Sequence, residues 1–320
     1  LKDMRNSEEH SFWQMVGSQA VQDITDRIYR SYNRFFKDKK NGIKTSPPKR
    51  KKVKKYKSVT YKQAGYKFLP GGRVKIAGRI YRYWDSYDCL LETVKVHTMT
   101  IKRNALGEYF LFMTADAPIT MGENRDKRCE VGMDFGLKTF LTLSDGTKIE
   151  SPEFFKKGIA GIRKANKELS RKKEGSKGKL KAEKALYRRH EHIANCRRDW
   201  FFKLSHELCS AYSVIAIEDL NLKGMAKLWG RKVNDYAFGE FVRILEWVSS
   251  KHDTVIVKAD RFYSSSQTCS RCGTLNHDMK DLRKRTFRCG ACSLEIDRDL
   301  NAAITLKNEG LRKIKDLSAV

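Results

Sequence analysis

Two short cysteine pairs constrain this chain more than any other feature. Cys269-x2-Cys272 and Cys289-x2-Cys292 are separated by 16 residues. Each pair sets two thiolates on one tight turn, and two such knuckles complete a tetrahedral zinc site. Four cysteines close the coordination sphere, so one structural zinc is expected, held by Cys269, Cys272, Cys289 and Cys292. Redox pairs or an iron–sulfur cluster compete on spacing alone, but nothing around the cysteines supports either. Cys89, Cys129, Cys196 and Cys209 stand singly and read as small buried apolar residues.

Charge gives the second constraint. The 320 residues carry 66 Lys and Arg against 38 Asp and Glu, a net charge of +28. Such an excess repels itself unless a polyanion neutralises it, and nucleic acid is the natural one. The basic residues also cluster. Lys49, Arg50, Lys51, Lys52, Lys54 and Lys55 follow Pro47-Pro48 in an extended stretch, read here as phosphate contacts rather than as a localisation signal or solvated tail. In Gly78-Arg79-Ile80-Tyr81-Arg82-Tyr83-Trp84 aromatics interleave with arginines. A strand there turns Arg79 and Arg82 towards nucleic acid and the aromatics to the core; an ordinary half-buried strand fits equally. Lys280, Arg283, Lys284, Arg285 and Arg288, between the cysteine pairs, suit a phosphate backbone or a solvated surface equally. No apolar run approaches the roughly 18 residues that span a bilayer, and no secretory signal is visible. No membrane partner is expected, and the cytoplasm is the expected location. The chain begins at Leu1 rather than Met, so its N-terminal part is taken as partial.

Periodicity organises the rest. Residues 9–37 show apolar positions at helical spacing; 58–125 hold short strand-like runs such as Val74–Ile76, Val94–His97 and Tyr109–Met113, expected to make a small β-barrel. A new domain opens near Cys129 with the strand ending at Asp134, then a meander through Leu137–Leu143 and Thr147–Glu150. Residues 153–211 read as two helices broken at Gly175–Gly178. Tyr212–Ile217 and Thr254–Lys258 read as buried strands around an amphipathic helix over 237–252, an α/β arrangement.

Three carboxylates stand out by placement. Asp134 and Glu218 end strands, and Asp299 begins the helix Leu300–Leu306. Three that converge can hold two Mg2+ ions, since hard cations prefer oxygen. Such a metal pair hydrolyses phosphodiesters. Each acid alone also suits a helix cap or a surface charge. Alternation turns Asp219 away from Glu218, while pattern alone does not separate Asp297 from Asp299.

These segments resemble the TnpB family of transposon-encoded RNA-guided nucleases. Val131-Gly132-Met133-Asp134-Phe135-Gly136-Leu137-Lys138 and Ile217-Glu218-Asp219-Leu220-Asn221 are similar to its first two nuclease motifs. Ser265–Gly273 and Arg288–Cys292 are similar to its zinc ribbon, and Asp297-Arg298-Asp299-Leu300-Asn301-Ala302-Ala303 to its third motif. Compact type V CRISPR effectors share this plan. The resemblance implies a multidomain α/β protein whose RNase H-like RuvC nuclease domain carries a four-Cys zinc ribbon, preceded by a helical recognition lobe and a wedge-type β-barrel. The division it implies is 1–48 recognition lobe, 49–57 basic linker, 58–127 barrel, 128–265 RuvC with a helical insertion, 266–293 ribbon and 294–320 the RuvC C-terminal part. Family members usually begin with a barrel strand, which is absent here.

The resemblance favours Asp299 over Asp297 and makes Asp134, Glu218 and Asp299 the catalytic Mg2+ ligands. It further implies a guide RNA, a double-stranded DNA target with a short flanking motif, and a prokaryotic mobile element as the source. The alternatives of the same plan are a compact CRISPR effector and a nuclease-inactive guided repressor, which would be expected to lack an acid present here. A guide-free resolvase or transposase fits the ribbon and the basic N-terminal part less well. Guide, flanking motif, cleavage pattern and oligomeric state are not readable from the sequence.

Overall fold

A computed structural model describes residues 7–9, 15, 17–50, 56–84, 94–116, 130–136, 138–219, 236–261, 263–281 and 283–318. It divides into two compact units, Leu1–Pro118 and Ile119–Val320. Cys89, Cys129, Leu137 and Lys51, Lys52, Lys54 and Lys55 of the basic stretch lie outside the described residues.

In the first unit, helix α1 (Ser18–Lys40) begins after Gly17, whose φ of 85° only glycine adopts readily. The helix expected over 9–37 therefore starts later and runs three residues further. Six strands follow: β1 (Ser58–Tyr61), β2 (Tyr66–Leu69), β3 (Arg73–Ile76), β4 (Arg79–Arg82), β5 (Val96–Arg103) and β6 (Tyr109–Ala115). They form two three-stranded sheets, β1-β5-β6 and β2-β3-β4. Among the described residues no ladder joins these sheets, so the expected barrel is not closed there. A shared core of Tyr61, Phe68, Val74, Ile76 and Met99, with Ala20 of α1, holds them together instead.

The expected burial of aromatics in the arginine-rich stretch is corrected in part: among the described residues β4 pairs with β3 and is exposed throughout, Tyr81 included, whereas Tyr83, just beyond it, packs against the core of this unit. Arg79 and Arg82 are exposed, as are Lys49 and Arg50.

The second unit is built on a five-stranded mixed sheet in the order β11-β10-β7-β8-β9. Its members are β7 (Glu130–Phe135), β8 (Leu141–Leu143), β9 (Lys148–Ile149), β10 (Val214–Glu218) and β11 (Val255–Ala259). β7, β8 and β9 form an antiparallel meander, and β10 runs parallel to both β7 and β11. Helices α2 (Phe154–Ser170) and α3 (Lys177–Ala211) form the expected pair, and α4 (Phe238–His252) links β10 to β11. Their apolar residues Phe201, Leu204, Leu208, Phe241, Leu245 and Val248 meet Val131, Met133, Ile215 and Ile217 on one face of the sheet. Alternation then gives Gly132, Asp134, Ala216 and Glu218 to the opposite face. The last helix, α5 (Arg298–Ser318), covers that face.

Candidate active site and cysteine ribbon

Two glycines let α5 lie directly on the strands. A Cβ at Gly132 would sit 1.9 Å from Ala303 O and 2.6 Å from Lys307 N. A Cβ at Gly310 would meet the Ala216 Cβ at 2.6 Å. The close approach brings the first turn of α5 towards the strand ends that carry Asp134 and Glu218. Those two acids lie on adjacent parallel strands, one step beyond the paired Met133 and Ile217.

Electrostatics record the convergence. Burial pushes the Asp134 carboxyl well above the ordinary carboxylate range, and Asp299 and then Glu218 push it further, while Arg298 pulls the other way. Burial also raises Glu218, with Asp219 adding to it. As like charges so placed, these acids repel one another, and a cation between them would relieve the repulsion. The donor set is all oxygen, which suits a hard divalent ion. The three carboxylates are nevertheless not clustered tightly: among the described residues only the four cysteines bring three or more ligand atoms within 4.8 Å of one another.

The neighbouring acids have other partners. Asp219 pairs with Arg261 at 2.8 Å. Asp297 caps α5, its Oδ1 accepting from the N–H groups of Asp299 at 2.9 Å and Leu300 at 3.1 Å. Its Oδ2 accepts from Lys148 Nζ at 3.1 Å. Although burial opposes it, the hydrogen bonds from Leu300 and Lys148 hold Asp297 below the usual carboxylate range. Asp299, by contrast, makes a long pair with Arg285 Nη1 at 3.9 Å. Asp297 and Asp299 thus differ in the partners that they engage.

The four cysteines come together in the segment that precedes α5. Cys269 Sγ lies 3.6 Å from Cys292 Sγ, and Cys272 Sγ 3.5 Å from Cys289 Sγ. Four thiolates at Zn–S bonds of 2.3 Å would stand roughly 3.8 Å apart, so the cage fits that ion, whereas a disulfide needs about 2.05 Å. The knuckles repeat one design. Gly273 N–H donates to Cys269 O at 2.9 Å, and Ser293 N–H to Cys289 O at 3.1 Å. Both residues take positive φ, 76° and 56°. Met279 and Phe287, from a 3-10 turn (His277–Lys280) and strand β12 (Thr286–Arg288), are buried beneath Cys269 and Cys289, and β12 pairs with β13 (Glu295–Asp297).

Sequence reasoning placed Asn301 in the third motif but gave it no part in joining ribbon to acids. Asn301, fully buried, donates from Nδ2 to Thr268 O at 2.7 Å and accepts at Oδ1 from Ser270 N–H at 3.0 Å. Thr305 Oγ1 reaches the same Thr268 carbonyl at 3.4 Å. Asn301 is thus a positioning residue, fixing the first knuckle to the helical turn that carries Asp299. A buried Asn two residues after an acid was the available signal, since a buried amide must be satisfied. Arg298, buried and bound through Nη1 to Asp281 O at 3.5 Å, was likewise overlooked.

Acids carried by a mixed sheet, with a four-cysteine segment ahead of the last of them, define an α/β protein with a cysteine ribbon. A family model described as "Probable transposase" matches residues 121–228, and another, "Cas12f1-like, TNB domain", matches residues 238–306. Together they take in more than half of the chain. A putative RNA-guided DNA endonuclease of Streptomyces pristinaespiralis is 29% identical, over 97% of this chain and 76% of its own length. A TnpB-like protein of Acanthamoeba polyphaga mimivirus is 29% identical over 64% of this chain and 41% of its own length. The cryo-EM structure of a CRISPR-Cas12f ternary complex overlays with a TM-score of 0.45 at 16% identity, covering 96% of this chain and 74% of that one. The chain is thus similar, along successive segments, to transposase-type and Cas12f1-like domains and to relatives named as TnpB-like. No helix among the described residues is long and apolar enough to cross a membrane.

Proposed function

We propose that the chain is an RNA-guided DNA endonuclease of a mobile element, with Asp134, Glu218 and Asp299 as its catalytic Mg2+ ligands. The observation that carries the reading is the convergence of these acids at one sheet face, where Asp134 is pushed far above its ordinary pKa by burial and by the other two. Relatives named as RNA-guided DNA endonucleases support the guided activity. The mixed sheet supports an RNase H-like RuvC domain, and the cysteine cage supports a structural zinc.

Two Mg2+ ions, when bound, would activate a water and stabilise the leaving 3′-oxygen. The chain's own residues set the stage. Asp134 and Glu218 are fixed by adjacent strands, and Asp299 by the capped first turn of α5. Asp297, occupied by Lys148 and two backbone N–H groups, is a cap and not a ligand. Arg298 tempers the negative charge at Asp134 without entering the ligand set.

In this reading a guide RNA occupies much of the basic surface, base pairing reads the target, and side chains read a short flanking DNA motif. Residues 1–48 serve as recognition lobe and 58–127 as wedge. Lys49, Arg50, Lys51, Lys52, Lys54, Lys55, Arg79 and Arg82 contact phosphates. The test is cleavage of a plasmid library by the copurified ribonucleoprotein, with sequencing of its RNA. Guide-dependent cutting that Asp134→Ala and Glu218→Ala abolish, with DNA binding kept, is expected. Cutting that persists after the RNA is stripped, or that ignores guide sequence, would falsify the guided mechanism. A compact CRISPR effector is the second reading, favoured by the match of residues 238–306 to a Cas12f1-like domain. A repeat array beside the gene would decide for it.

A further inference from the structure

The sheet β1-β5-β6 keeps one face for the core and, among the described residues, leaves the other without an apolar partner. Val59, Tyr61, Met99, Ile101, Leu111 and Met113 belong to the core or pack against it. Alternation sends Ser58, Thr60, Thr98, Thr100, Lys102, Phe110, Phe112 and Thr114 to the outer face. Ladder register puts Phe110 beside Lys102, Phe112 beside Thr100 and Thr114 beside Thr98. Phe110 and Phe112 are 46% and 53% exposed.

Two adjacent phenylalanines in water are a cost that an ordinary strand avoids by placing polar residues there. Here the polar residues are present as well, and of a selected kind. Thr60 Oγ1 and Thr100 Oγ1 lie 2.9 Å apart, and Thr98 Oγ1 donates to Thr114 Oγ1 at 3.0 Å. Lys102 Nζ stands 5.7 Å from the Phe112 ring centroid. Arg27 of α1 reaches the far edge of the same face. Its Nη2 donates to Thr60 Oγ1 at 2.6 Å and its Nη1 to Ser58 Oγ at 3.3 Å, while the buried Asp23 grips its Nε at 2.6 Å. The guanidinium is thereby held in one pose before any partner arrives.

We propose that this outer face is a binding platform for single-stranded RNA, with Phe110 and Phe112 stacking two successive bases. The rings sit two residues apart on one strand, about 7 Å, a spacing at which extended bases can each meet a ring. Lys102 and, beyond it, Arg27 set positive charge on one side of the rings for the phosphates, a match that an apolar protein segment would not make. The threonine and serine hydroxyls, each able to donate and accept, suit the ribose 2′-hydroxyl, which commits the platform to RNA over DNA. The inference deepens the reading of the chain as RNA-carrying, and names the surface of the first unit that would hold unpaired nucleotides.

The test uses the full chain, freed of nucleic acid at high salt, and a ten-nucleotide single-stranded RNA with two adjacent 2-aminopurines. Stacking on the rings should quench the probe. Phe110→Ala with Phe112→Ala should abolish the quench and weaken binding about thirtyfold or more, while the salt slope stays unchanged. Phe112→Trp should retain both signals. Lys102→Ala should instead flatten the salt slope by about one contact. Phe110→Leu with Phe112→Leu, which keeps apolar bulk and strand propensity without a ring, should behave as the alanine pair and guards against misfolding. Affinity within twofold of the parent in both double variants would overturn the platform. So would equal binding and quenching of the same DNA sequence, or a change in oligomeric state in place of a change in RNA binding. Failure of guided cleavage with the quench intact would overturn the functional reading and leave the platform standing.

Discussion

Removing the charge from Asp134 is expected to stabilise the metal-free chain while ending its activity. Its native carboxyl titrates above the unfolded value of about 3.9, because burial, Asp299 and Glu218 all disfavour its ionised form. A native group with a raised pKa contributes stability in its protonated form. That contribution is lost as pH rises from the unfolded value through the native one. Asp134→Asn escapes the loss. In EDTA at neutral pH the variant should therefore be more stable by about 1–2 kcal/mol. The gap should close below about pH 4, where both carboxyls are neutral, and Mg2+ should narrow it by binding the parent's native state. Thermal melts across pH measure this. A variant less stable than its parent at neutral pH in EDTA would show that Asp134 is not held against its charge.

At the level of elements, the seam between β7 and α5 decides whether the acids can meet. Gly132→Ala drives a Cβ into backbone atoms of Ala303 and Lys307, which have no rotamer to move. A loss of about 2–4 kcal/mol is expected in chemical denaturation; a loss below 0.5 kcal/mol would mean the helix can ride outward at no cost. Asn301→Ala is subtler. It leaves the half-buried Ser270 N–H short of a partner and the Thr268 carbonyl with Thr305 Oγ1 alone, worth about 1–3 kcal/mol. Four thiols remain to bind zinc, so the variant should keep full zinc by metal analysis yet cut more slowly. Loss of zinc in step with activity would make Asn301 a mere ribbon stabiliser.

These seams explain what the sequence made legible. Cys-x2-Cys pairs, strand-length apolar runs and the Gly break between α2 and α3 are local signals, and each marked its element. Asp134, Glu218 and Asp299 stood out by position, but which acid near residue 298 faces the others depended on a cap and on Lys148, 149 residues away. The sheet pairing in the first unit was equally hidden. β1 skips β2, β3 and β4 to pair with β5, and no short-range pattern encodes such a partner. Tyr81 was misjudged for the same reason, since burial of one face depends on which strand lies alongside.

For the molecule as a whole, a net charge of +28 makes RNA association chiefly a matter of counterion release. A chain neutralising several phosphates should lose affinity steeply with salt, by about 10³ or more between 50 and 200 mM if six or more contacts form. The slope separates the two kinds of contact inferred for this protein. Replacing Lys49, Arg50, Lys51, Lys52, Lys54 and Lys55 by Gln should flatten it, by as many units as those side chains meet phosphates, scaled by about 0.7 on single strands. Ring removal at Phe110 and Phe112 should lower affinity at every salt concentration and leave the slope alone. Filter binding of one RNA across a salt series reads both. If the Gln variant keeps the parental slope, the basic stretch is a solvated tail and the phosphate contacts lie elsewhere on the surface. If it loses slope while guided cutting persists at low salt, the stretch holds RNA without reading it, as a purely electrostatic contact must.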